Sequence, residues 1–247
     1  MAQRDEIIAF ADELLDISRF RDYGPVGLQV EGGTQVERIA CGVSASLELF
    51  ETAARQGAQM VLVHHGIFWN NERLLIDRRQ RGRLKALFDY DISLAAYHLV
   101  LDAHPEIGNA ALLARLLGIT DGKAFDEYGV GGRLEKPMRA QDFVTLVEKR
   151  LGRVPLSFLN GPDVVKRVAI LTGGGGHSLL QASREGYDLF LTGEPTEPAL
   201  QASRELGVNF LAAGHYATEK LGIQALSGLI ASHFGVEQNF IDIPNPV

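Results

Sequence analysis

VERIACGVSASLELFETAARQGAQMVLVHH, residues 36–65, lies on VKRVAILTGGGGHSLLQASREGYDLFLTGE, residues 165–194, at an offset of 129 and without a gap. Seven of the thirty aligned positions are identical: Val36/Val165, Arg38/Arg167, Ala40/Ala169, Ala53/Ala182, Arg55/Arg184, Gly57/Gly186 and Leu62/Leu191. Ordinary residue frequencies would give about two. Further along, Leu94-Ala-Ala-Tyr-His98 recurs as Leu211-Ala-Ala-Gly-His215, and each histidine is followed four residues later by a carboxylate, Asp102 and Glu219. Self-similarity of this kind indicates two halves of common design, with His98 in the place of His215.

Around these copies, apolar runs alternate with helical patterns. Strands are predicted over 37–43, 59–63 and 92–97, and again over 165–171, 188–192 and 208–212. Helices are predicted over 46–56, 79–90 and 106–117, and again over 177–186, 196–206 and 217–233. An N-terminal helix near 4–17 puts Ile7, Ile8, Ala11, Leu14 and Leu15 on one face. Gly24-Pro-Val-Gly-Leu-Gln-Val30 begins as a turn and becomes apolar. Such alternation predicts an α/β fold of two pseudo-repeated halves with mixed, largely parallel sheets. The histidines and carboxylates at the strand ends add the expectation that the halves are packed about a shared metal cleft. Residues 125–163, with Gly129, Gly131, Gly132, Pro137 and a helical segment near 139–151, interrupt the repeat. They contain the expected boundary, with residues 1–124 as the first half and 125–247 as the second.

The 247 residues suffice for a sizeable core, and 46% of them are hydrophobic, an ordinary globular share. No apolar run is long enough to span a bilayer, and the first residues are acidic and amphipathic rather than a leader's apolar segment. The single cysteine, Cys41, fits a reducing compartment, so the expected location is the cytoplasm. It lies in an apolar strand and reads as a core thiol. A net charge of −7 gives no support for broad binding to nucleic acid. Arg73, Arg78, Arg79, Arg81 and Arg83 form a basic stretch, a pattern that is ordinarily a solvated helix face.

Parallel strands present functional groups at their carboxyl ends, where His64, His65, His98 and His215 fall. Imidazoles and carboxylates without a thiolate suit a divalent metal better than a nucleophile triad. The plainer alternative is a hydrogen-bonded surface histidine, and for Glu219 an acid in the first turn of a helix. Adjacent histidines in a strand point to opposite faces, so both ligate only if the chain turns, which Gly66 would permit.

GPVGLQVEG (24–32), VHHGIFW (63–69), YHLVLDAHPEIGN (97–109), LTGE (191–194) and GHYATEKLGI (214–223) resemble the blocks of the Nif-three-like family of dinuclear metal proteins, that of the GTP cyclohydrolase 1 type 2 homologs. FIDIPNPV (240–247) resembles the short bacterial branch, which lacks an inserted middle domain. This resemblance spans nearly the whole chain. It implies two metal ions per subunit held by His64, His65, Asp102, His215 and Glu219, with His98 orienting ligands or handling protons. It also implies a ring-shaped homohexamer. Zinc, iron, manganese, cobalt and nickel all suit three imidazoles and two carboxylates.

Where the first copy has His64-His65, the second has Gly193-Glu194. Glu194 is therefore expected on the opposite side of the cleft, as substrate contact or general base, or else as a helix-capping acid. Thr172-Gly-Gly-Gly-Gly-His177 follows a strand and could bring backbone N–H groups to an anion, or could be an ordinary turn. His104, ahead of Pro105, reads as structural. Two functions follow. One is a metal-dependent hydrolase opening the ring of a nucleotide such as GTP, with His98 and Glu194 moving protons. The other is a metal-binding ring protein acting as adaptor or regulator.

Overall fold

Runs such as Arg38-Ile-Ala-Cys-Gly-Val-Ser44 and Met60-Val-Leu-Val63 are apolar without alternation, the pattern of strands covered on both faces. A computed structural model describes residues 1–19, 21–73 and 75–247. In chain order it contains β1 (Ala2–Gln3), α1 (Arg4–Leu15), β2 (Gly27–Val30), β3 (Gln35–Val36), β4 (Arg38–Ser44), α2 (Leu47–Arg55), β5 (Met60–His65), α3 (Arg78–Asp89), β6 (Ser93–Ala96) and α4 (Leu99–Asp102). There follow α5 (Asn109–Leu116), β7 (Ile119–Phe125), β8 (Gly129–Arg139), α6 (Ala140–Leu151), β9 (Leu156–Phe158), β10 (Val164–Leu171), α7 (Leu179–Arg184), β11 (Leu189–Thr192), α8 (Ala199–Leu206), β12 (Asn209–Ala212), α9 (His215–Thr218), α10 (Lys220–Phe234) and β13 (Glu237–Phe240).

These elements form two compact units, Met1–Leu101 with Gly222–Pro244, and Asp102–Leu221 with Asn245–Val247. The first contains a five-stranded sheet in the order β13-β4-β5-β6-β2, and the second a six-stranded sheet in the order β7-β8-β10-β11-β12-β9. In the first, β13, β4, β5 and β6 are parallel and β2 is antiparallel at the edge. In the second, β10, β11 and β12 are parallel, flanked by antiparallel β8 and β9. Mixed sheets in two α/β halves are thus what the chain forms. The stretch 125–163 folds as the turn and second strand of the β7–β8 hairpin, then α6 and β9, within the second unit.

The repeat is present strand by strand. Ile39 pairs with Met60 as Val168 pairs with Leu189, and Leu28 pairs with Ala95 as Ser157 pairs with Leu211. Gly57 and Gly186 both take the positive φ (71° and 74°) that follows helix α2 and α7, a conformation cheap only for glycine. The Arg38 guanidinium donates to the Gln56 carbonyl, and Arg167 donates to the Glu185 carbonyl at 2.9 Å. At the start of each first strand a side-chain oxygen takes two backbone N–H groups: Gln59 those of Glu37 and Arg38, Asp188 those of Lys166 and Arg167.

One sequence equivalence is corrected by this register. Met60 pairs with Ser93 and Leu189 with Asn209, so β6 and β12 correspond at an offset of 116, not the 117 of the Leu-Ala-Ala phrase. The counterpart of His98 is Gly214, and that of Asp102 is Thr218. All four residues of each strand are buried, Ser93 and Asn209 included, so burial does not alternate along either strand and the hydrophobic pattern does not record a slip by one residue.

Candidate metal centre

In the first unit, three imidazoles meet at the carboxyl ends of β5 and β6. His64 and His65 end β5, and His98 lies two residues beyond β6. Their ring centroids are 4.7 Å apart for His64–His65, 5.0 Å for His64–His98 and 5.3 Å for His65–His98. One potential ligand nitrogen from each lies within 4.8 Å of the other two.

Each ring is oriented through Nδ1. His64 Nδ1 is 2.9 Å from the Tyr97 carbonyl, His65 Nδ1 is 3.0 Å from Ser44 Oγ, and His98 Nδ1 is 2.7 Å from Asp22 Oδ1. A carbonyl and a carboxylate only accept, so His64 and His98 carry their proton on Nδ1 and offer Nε2 as the coordinating atom. Tyr97 is itself anchored, its buried ring ending in a hydroxyl that donates to Asp12 on α1 at 2.8 Å. The turn expected at Gly66 has a different purpose. Its backbone lacks a positive φ, and a Cβ there would come within 2.4 Å of the Gln29 amide. Gln29 in turn accepts from the Ile67 N–H at 2.9 Å and fixes the chain leaving the histidine pair.

Asp22 carries no motif that would have marked it in the sequence. Its side chain is 2% exposed, and it accepts from the N–H groups of Tyr23 at 2.6 Å and Leu99 at 2.8 Å as well as from His98. Burial alone would raise its pKa. The His98 hydrogen bond and charge, with those two backbone donors, instead hold it below the ordinary carboxylate value.

The second unit contains Asp102, His215, Glu219 and Glu194. Glu219 is 3% exposed, and its Oε2 is 3.0 Å from His215 Nε2. A carboxylate oxygen of Asp102 lies within 4.8 Å of one of Glu219, and Asp102 Oδ1 accepts from the buried Asn109 amide at 2.8 Å. Glu194 bonds His215 Nδ1 and so lies against this histidine. Burial would lower the His215 pKa, but the hydrogen bonds and charges of Glu219 and Glu194 raise it to about 9.

The glycine loop is committed to the same place. Gly173, at φ +60°, gives its N–H to Thr218 Oγ1 at 3.2 Å, and its carbonyl accepts from the Glu194 N–H at 2.9 Å. A Cβ on Gly173 would sit 2.1 Å from Glu219 Oε1. The loop therefore makes room for Glu219. His104 serves its turn, its Nδ1 accepting from the N–H groups of Glu106 and Ile107 at 3.1 and 3.2 Å. Arg78, Arg79 and Arg81 are exposed on α3, and Arg79 pairs with Glu72 at 3.0 Å, as a solvated helix face would have it.

Imidazole nitrogens and buried carboxylates of this kind can hold a divalent ion, and the only thiol, Cys41, is buried within β4. The fold and these side chains define a two-unit α/β protein with candidate metal-binding groups. The chain belongs to the DUF34/NIF3 (NGG1p interacting factor 3) family, whose sequence profile matches residues 2–246. It is 46% identical over 242 residues to the GTP cyclohydrolase 1 type 2 homolog of Escherichia coli strain K12, covering 98% of both chains. The Pseudomonas aeruginosa protein of the same name is 44% identical over 245 residues, covering 97% of both. Among solved structures, protein ybgI, described as of unknown function, superposes with a TM-score of 0.96 at 45% identity over 99% of this chain and 100% of that one. TTHA1606 from Thermus thermophilus gives 0.92 at 35% identity, with 99% and 100% covered.

Proposed function

We propose that this chain is a dinuclear divalent-metal-dependent hydrolase of the GTP cyclohydrolase type, with His64, His65, Asp102, His215 and Glu219 as the metal ligands. The observation that carries the reading is the donor set: in the first unit, imidazoles held through Nδ1, with His64 offering Nε2, and in the second, carboxylates that are almost fully buried. Burying Asp102 and Glu219 in one unit costs free energy that a bound cation offsets. The name shared by the relatives supports the substrate class.

Two divalent ions, when bound, supply Lewis acidity and an activated water near neutral pH. Asp102, kept in orientation by Asn109, and Glu219, given room by Gly173, hold negative charge at a fixed place. Glu194 orients His215 and, being 41% exposed at its side chain, is the group we assign to proton exchange with solvent. Hydrolysis at the carbon between the imidazole nitrogens of guanine would release that carbon as formate. The test is formate release from GTP by protein loaded with Zn, Mn or Fe, beside His215→Ala. Turnover that is lost in the variant supports the reading, and metal-loaded protein that releases no formate sinks the cyclohydrolase assignment.

A second reading, a metal-binding adaptor without turnover, is favoured by one observation. Leu75 and Ile76, 63% and 68% exposed, line a groove of about 250 Å³ with Phe68, Trp69 and Leu84 in the first unit. On either reading we assign the chain to the cytoplasm and to a homohexamer, which light scattering would weigh. No helix among the described residues is long and apolar enough to cross a membrane.

A further inference from the structure

We infer that His98 is itself a metal ligand, placed by Asp22, so that the first unit presents three imidazole donors instead of two. The inference rests on the metal-binding reading above and extends its ligand set.

Three observations within the first unit carry it. One candidate donor nitrogen from each of His64, His65 and His98 lies within 4.8 Å of the other two, so His98 belongs to one cluster with the histidine pair. Its ring is tied at Nδ1 in the same manner as theirs, and an acceptor at Nδ1 is what turns a neutral imidazole into an Nε2 ligand. Asp22 is rigidly placed, its side chain 2% exposed and accepting from the N–H groups of Tyr23 and Leu99 besides His98. An aspartate that merely capped a turn would have no reason to seat a histidine as well.

The space beside this pair agrees. A cavity lined by Asp22, Gln29, His64, Trp69 and His98 has a volume of about 10 Å³, at most one water. No substrate group fits behind the ring, and the Trp69 ring stands edge-on to it at 5.2 Å, which limits its rotation. The ring is thereby fixed beside those of His64 and His65, at centroid distances of 5.0 and 5.3 Å. Three imidazoles would suit a divalent ion as a donor set. Asp22 is then a positioning residue, acting on the ion through His98.

The experiment loads metal-free wild type, His98→Ala, Asp22→Ala and Asp22→Asn with cobalt(II), reading stoichiometry and affinity by calorimetry and coordination from the visible absorption bands. His98→Ala is expected to weaken cobalt binding at least about tenfold and to shift the bands, as loss of a ligand does. Asp22→Ala is expected to weaken it about 10–100-fold, the usual effect of removing a ligand's hydrogen-bond partner. Asp22→Asn keeps an oxygen acceptor for Nδ1–H and is expected to recover most of that loss. Melting of the metal-free variants checks that each folds, and the two Asp22 variants decide the matter if His98→Ala does not. Unchanged affinity and bands in His98→Ala, or in Asp22→Ala, would overturn the inference while leaving the five-ligand site standing. Wild type that takes up no cobalt would overturn both.

Discussion

Gly173 has no side chain because Glu219 occupies the place where one would be. At φ +60° an alanine is strained, and its Cβ would lie 2.1 Å from Glu219 Oε1. Gly173→Ala is expected to cost at least about 1 kcal/mol and to lower metal content, whereas Gly174→Ala, with nothing within 4 Å, leaves metal content unchanged. Melting and metal analysis of the two variants check this. Cys41 offers a pH test remote from the site. Burial pushes its thiol up to about 11 from an ordinary 9.0, against a small opposing hydrogen bond from Ser227. A pKa raised by folding means the contribution is complete below pH ~9 and is lost as pH rises toward ~11, because the unfolded chain ionises first. Cys41→Ala should therefore flatten the fall of stability between those pH values, measured by urea unfolding. Iodoacetamide at pH 8 should label wild type only when it is unfolded.

At the scale of elements, the two units use one strand-starting device with different chemistry. Gln59, just ahead of β5, takes two N–H groups at the start of the neighbouring β4, and Asp188, just ahead of β11, takes two from the neighbouring β10; the two were invisible as a pair because amide and carboxylate differ in sequence. Asp188→Ala leaves the Lys166 and Arg167 donors to water and is expected to cost about 1 kcal/mol. The urea midpoint should fall while the slope stays the same. The register of β6 and β12 shows the reverse case. Leu-Ala-Ala matches in letters but not in hydrogen bonds, so His98 and His215 are brought to their places by different local structure. His98 follows an extended end and is held by Asp22, whereas His215 begins α9 after Gly214 at φ +97°.

For the molecule as a whole, the units are not consecutive stretches of chain. The first unit's core, around Phe50, Val61 and Leu94, includes Ile241 and packs against Ile243, and β13 pairs with β4. Among the described residues, the apolar clusters of the second unit draw on side chains between Ala110 and Leu221. Asp102–Leu221 expressed alone is accordingly expected to melt cooperatively. Met1–Leu101 alone, without β13 and Ile241, is expected to lack a cooperative transition. Circular dichroism of the two fragments measures this, and the opposite ranking would refute the division.

The sequence by itself determined the α/β class, the repeat and nearly all parallel strands, because apolar runs and glycine turns are local signals that a buried strand or helix cap cannot do without. It also singled out His64, His65, Asp102, His215 and Glu219, whose residue types are set by the chemistry they can do. It passed over β13 and the β7–β8 hairpin, whose exposed or glycine-rich strands carry little apolar pattern. Only the tertiary structure decided that Asp22 seats His98, that Glu194 holds His215, and that Gly173 yields to Glu219. Those pairings join residues 76, 21 and about forty-six positions apart, and nothing local in a chain records which distant carboxylate will be buried beside which ring. The one-residue difference between the offsets of β6 and β12 was likewise settled by backbone hydrogen bonds, since both strands are buried along their whole length and carry no alternation that would mark the step.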